Sequence, residues 1–211
     1  MKKIITLILV LLVAVGGEAR TMRELFTEEP GQLFMLIPKT LRLDMLDYYD
    51  SGQKVAAKNS LGTGTQLLEA DDSYVSLRTS ASKTVQMLLV TNNKDSVIVV
   101  IETFETPVSD SHISFYDTKW RLLVPKYFDM PTLESFVVKG VSKKQRATMF
   151  EDILFPLIKL SFDGPDHTTI VATHGLKEFL VPKEYKKYEK SMVQSLTYTL
   201  KGKFWKLNKD K

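Results

Sequence analysis

The chain has 211 residues, a formal net charge of +4 and no cysteine. That length supports a sizeable core without covalent staples, and the absence of cysteine excludes disulfides, thiolate metal sites and a lipid-anchored lipoprotein. A charge this close to balance gives no argument for nucleic acid, and the lysines of 183–190 and 201–211 read as a solvated face.

Residues 1–19 have the pattern of a secretory signal peptide. Met1-Lys2-Lys3 is followed by an apolar run from Ile4 to Val15 and then by Gly16-Gly17-Glu18-Ala19. The run is shorter than the roughly 20 residues that a membrane-spanning helix needs. Cleavage is expected after Ala19, which lowers the net charge by one and leaves residues 20–211. The expected location is the periplasm or the exterior, with no transmembrane span after cleavage.

In the mature chain, Thr27-Glu28-Glu29-Pro30 predicts a helix start, with Leu33, Leu36 and Ile37 recurring until Pro38. A second helix is predicted over Lys39–Tyr49, stopped at Gly52. Lys54–Ala57 reads as a short strand and Asn59–Gly64 as a loop. Gly62 and Gly64 lack the lysine-serine or lysine-threonine closure of a phosphate-binding loop.

From Tyr74 the apolar period becomes two. Val75 and Leu77 alternate, then Val85, Met87 and Leu89, and Val97–Ile101 is apolar on both faces, the mark of a central strand. Ile113 and Phe115 oppose His112, Ser114 and Tyr116, and Asp117-Thr118-Lys119 turns the chain into a strand from Trp120 to Val124. Ser142 opens a helix with Gln145 placed for a capping box and Ala147, Phe150, Ile153 and Leu154 as its buried stripe. Strands follow at 158–162 and 168–173, a lysine-rich helix at Pro182–Met192, and a closing hairpin at 196–207.

The fold class is therefore α+β: an antiparallel meander packed by a few helices. Strand order and spacing in 87–123 echo those in 158–207, so the mature chain reads either as one domain or as two similar tandem lobes, 20–125 and 126–211.

No residue set forms a known catalytic signature. His167 and His174 are seven apart across one strand, an odd offset that sends them to opposite faces, and all three histidines read as surface or edge residues without a metal. Asp44, Asp47 and Asp50 read as a solvated helix edge with an ion pair to Arg42. Ser109-Asp110-Ser111-His112 places triad residue types side by side, but neighbours in an extended segment point in alternating directions. No cofactor is called for. The binding candidates are Asp110, His112, Tyr116, Asp117 and Trp120.

Arg42–Asp47, Asp50–Gly52, Tyr74–Leu77 and above all Asp110–Trp120 (DSHISFYDTKW) carry a resemblance. On these residues the chain resembles a secreted Bacteroidales family known only as a domain of unknown function, number 3256. The resemblance covers about Leu25 to the C-terminus. It implies an exported α+β protein and no assigned activity. The expected function is a non-enzymatic binding or envelope-interaction protein, with an envelope protein or a small ligand as partner and no nucleic acid. The alternative is a metal-independent hydrolase using carboxylates near Glu102, Asp110 and Asp117.

Overall fold

The computed structural model describes residues 20–53, 55–92, 95–105, 107–124 and 127–208. The N-terminal apolar run lies outside them. Strands β1–β6 form one antiparallel sheet in sequence order: Ala57–Lys58, Gly64–Ala70, Tyr74–Ser80, Lys83–Asn92, Asp95–Phe104 and Asp110–Asp117. Strands β7–β10 form a second sheet, also a meander: Ile158–Asp163, Thr169–His174, Ser195–Lys201 and Phe204–Leu207. With its helices, the protein is α+β.

Strand β5 explains the layering. Val97, Val99 and Ile101 are buried in one cluster with Leu160, Phe162, Ile170, Ala172, Tyr198 and Trp205 of the second sheet. Ile98 and Val100, on the opposite face, lie in a separate cluster with Met22, Leu25, Phe26, Met45 and Leu46 of the N-terminal helices. The first sheet is thus a middle layer, and an apolar run on both faces of its strand is what that position requires. The second sheet buries a single face, the one carrying Leu160, Ala172 and Tyr198. Met149, Leu176 and Tyr188, from α3 (Lys143–Asp152), α4 (Leu176–Phe179) and α5 (Pro182–Tyr188), join that same cluster.

Several sequence expectations are corrected. The first helix, α1, is Met22–Glu28, not a segment beginning at Thr27. Thr21 and Glu24 form a reciprocal capping box, a T-x-x-E signal present in the sequence. Residues 29–38 are loop, because Glu29 is used otherwise. Its carboxylate accepts from the N–H groups of Gly31, Gln32 and Leu33. It also pairs with Arg42 at 3.0 Å, with both side chains buried.

Arg42 sits on α2 (Lys39–Asp50) and not on its solvated edge. Its guanidinium also donates to the carbonyls of Thr27 and Glu29, and it lies 5.9 and 5.7 Å from the ring centres of Phe26 and Phe34. Burial pulls its pKa below the usual value, against the opposing attraction of Glu29. The expected Asp–Arg42 pair is replaced by Asp50 with Arg23. In α3, Met149 is buried while Phe150 and Leu154 are exposed, and Gln145 donates to the hydroxyl of Ser191 instead of closing the box on Ser142. The 120–124 strand reduces to one bridge, Tyr116 with Leu122. Strand β2, absent from the sequence reading, pairs with β3 through a bulge between Leu67 and Glu69.

Removing one partner of a buried ion pair strands the other charge, at a cost of about 3–5 kcal/mol. Glu29→Gln is therefore expected to lower the unfolding free energy by about 3 kcal/mol in urea denaturation. Arg23→Ala, which breaks an exposed pair, is expected to cost about 1 kcal/mol or less.

Candidate functional site

Strand β6 carries most of the residues singled out from the sequence, and the structure gives them different tasks. Asp110 and Ser111 join the two sheets. The N–H groups of Ile158 and Leu160 point away from β8, and donate to Asp110 Oδ1 and Ser111 Oγ, both at 2.9 Å. Ser111 Oγ also bonds Thr103 Oγ1 at 2.8 Å across the strand pair. Side chains of the first sheet thereby satisfy the edge of the second, whose backbone donors need partners once covered.

At the other end of β6, Asp117 holds the turn. Its carboxylate accepts from the N–H groups of Lys119 and Arg121 and from Arg121 Nε. Burial raises its pKa, but the bonds from Arg121 and Lys119 outweigh that and keep it below the usual carboxylate value. Trp120 is left-handed at φ 60° and buried, with Nε1 donating to the Leu25 carbonyl of α1. The Tyr116 ring packs 5.6 Å from it. Asp110 and Asp117 occupy opposite ends of β6, about 23 Å apart at 3.3 Å per residue. Glu102 lies opposite His112 in the register and pairs with Lys83 Nζ at 2.6 Å. The three carboxylates named for hydrolysis thus lie on separate contacts.

His112 remains exposed, and it borders the feature the sequence did not reveal. Beyond Phe115, the outer edge of β6 opens into a groove of about 500 Å³, lined by Ser111–Phe115, Leu122–Val124 and Phe128–Met130. The chain after the turn starts to pair with β6: Asp117 N–H donates to the Arg121 carbonyl and Leu123 N–H to the Phe115 carbonyl. Among the described residues the pairing stops at Leu123; residue 125 is a proline, which has no N–H to donate. With Phe115 and Asp117 bonding outward, the period of two turns the main-chain groups of Ile113 outward as well, towards the groove. Leu122 and Val124 supply exposed apolar walls, 65% and 89% accessible, and His112 and Asp129 supply polar ones.

His174, expected at the surface, is instead 2% exposed. Gly175 lets this strand end approach the β5–β6 loop, because a Cβ there would stand 2.3 Å from Val108 Cγ1. Phe136 packs edge-on against the imidazole at 5.2 Å. A cleft of about 270 Å³ opens beside it, where Glu105 accepts from Ser109 Oγ and Lys159 Nζ.

Among the described residues, one group is placed to hold a metal ion: Glu69, Asp71 and His167, with ligand atoms within 4.8 Å of one another. Nothing in the sequence order marks it, since it joins a bulged strand and two hairpin turns about a hundred residues apart.

A meander serving as the middle of three layers, with a groove along one edge, defines an α+β protein. The chain belongs to the family described as a protein of unknown function, DUF3256, whose model matches residues 14–205. No curated protein matches. Among solved structures, a domain of an uncharacterized protein from Porphyromonas gingivalis W83 is similar in fold, with a TM-score of 0.76 and 20% identity. The match covers 90% of this chain and 98% of that one.

Burial lowers the pKa of His174 below 6.5, with bonding around Val193 opposing. The unfolded chain thus takes up a proton at a higher pH than the folded one, and this histidine's stabilising contribution, intact above pH 6.5, is lost as the pH falls towards the folded pKa. Urea midpoints are expected to fall between pH 7 and pH 5. The fall is expected to be shallower in His174→Gln, whose side chain takes up no proton in either state.

Proposed function

We propose that this is an exported binding protein that takes an extended polypeptide segment, from another protein of the cell envelope, as an added strand along the outer edge of β6. The observation that carries the reading is the open groove beside Ile113. There, among the described residues, the internal ladder stops at Leu123, and outward main-chain groups lie between apolar walls. A sheet edge of this kind is a template for another strand: backbone bonds supply affinity, and pockets for alternate side chains supply selectivity. Leu122, Val124 and Met130 favour a segment with apolar residues at every second position, while His112 and Asp129 offer polar contacts at the rim. The leader pattern of residues 1–19 supports export.

Two measurements test this. N-terminal sequencing of the protein from its native cells is expected to begin at Arg20, and recovery of the intact Met1 form in the cytoplasm would refute export. For the groove, random eight-residue peptides displayed on phage are selected on the protein. The selected peptides are expected to shift the amide resonances of Ser111–Phe115. Ile113→Pro removes an outward N–H at an edge position that tolerates proline, and is expected to weaken those peptides at least tenfold while the fold persists. Peptides that bind Ile113→Pro as well as the parent, or that shift resonances elsewhere only, would overturn the reading.

A further inference from the structure

We infer that Glu69, Asp71 and His167 form a binding site for a divalent transition-metal ion that clasps the two sheets together. The site is built from both sheets. Glu69 and Asp71 come from the end of β2 and the turn into β3, and His167 comes from the turn between β7 and β8.

The bulge in β2 aims the first ligand. Leu67 pairs with Leu77 and is buried towards the N-terminal helices. Two residues on, Glu69 would face the same way in a regular strand. The bulge instead sets it opposite Ser76, on the face that Tyr74 turns towards the second sheet. A bulge that re-aims one side chain is a common device beside functional sites.

Tyr74 then fixes the second ligand. The His167 ring stacks on Tyr74 at 3.7 Å and 14°, and Tyr74 in turn packs edge-on against Phe162 and accepts a bond from Gln86. The imidazole is held with Nε2 3.4 Å from Glu69 Oε1. That is long for a direct hydrogen bond but matches the separation of about 3.4 Å between two ligands, each about 2.1 Å from a tetrahedral ion.

Asp71 supplies the third ligand. Its Oδ1 already accepts from Ser73 N–H, Ser73 Oγ and Tyr74 N–H, which orients the carboxylate and leaves Oδ2 for an ion. Among the described residues, no lysine or arginine forms an ion pair with Glu69, Asp71 or the neighbouring Asp166. Among the described residues, His167 is the basic group paired there, and a divalent cation would supply the further positive charge. One imidazole with two carboxylates suits zinc or manganese better than calcium, which favours a full set of oxygens.

The test uses the mature protein with any purification tag removed and metal stripped by a chelator. Calorimetric titration with zinc chloride and manganese chloride is expected to show saturable binding of one ion per chain by at least one of them, with a rise in the melting temperature. Calcium chloride is expected to bind at least tenfold more weakly. Glu69→Gln is expected to weaken the ion at least tenfold. So is Asp71→Asn, which keeps the Oδ1 acceptor of the turn. His167 has φ 53°, and His167→Asn, a residue that tolerates that left-handed backbone, is expected to do the same. Circular dichroism confirms that each variant is folded. No saturable binding, binding unchanged in all three variants, or a preference for calcium would each overturn the proposal. Phage-selected peptides at the β6 groove read out independently of this result.

Discussion

Burial of β5 on both faces is the constraint from which the rest of the architecture follows. A strand whose side chains are apolar above and below the sheet needs a cover on each side. The chain supplies α1 and α2 on one and the second sheet on the other. The covers come from opposite ends of the sequence, so neither half of the chain buries the central strand by itself. Two clusters separated by the middle sheet, and not one continuous core, are the result.

Layering creates edges, and the molecule treats them unequally. The β7 edge is tied by Asp110 and Ser111, which offer side-chain acceptors where no strand is in register to offer carbonyls. The β6 edge is half closed by the segment after Trp120, whose pairing stops, among the described residues, at Leu123. At the opposite end of the sandwich, the β2 bulge and the His167 turn bring acidic and imidazole groups of the two sheets together. These three places are where the sheets meet or stop meeting, and they hold the residues whose chemistry goes beyond packing.

Much of the strand pattern was legible from the sequence. Alternation placed Val75, Leu77, Val85 and Met87 on one face and Tyr74, Leu88 and Val90 on the other, because a half-buried strand repeats every two residues. The helices were read less well. Leu33, Leu36 and Ile37 have helical spacing, yet Phe34 and Ile37 are buried from a loop organised by the buried Glu29 carboxylate. Apolar spacing reports burial, and it does not say which backbone delivers it. The aromatic-rich segment 110–120 carries all five candidate binding residues. Its tyrosine, tryptophan and two aspartates hold the turn, the helix layer and the second sheet in place, and of the five candidate binding residues His112 is the one that lines the groove.

By itself the sequence determined most of the strands, the central place of β5, the membership of the family and the pattern of a leader, because these depend on local order and composition. Only the tertiary structure decided that Glu29 and Arg42 are buried together, that the β6 edge stays open, and that Glu69, Asp71 and His167 converge. Each of those depends on which distant segments face one another, and in the case of Glu69 on a single extra residue that reverses the direction of a side chain. Periodicity records how a residue relates to its neighbours in the chain. It carries no record of what is packed across from it.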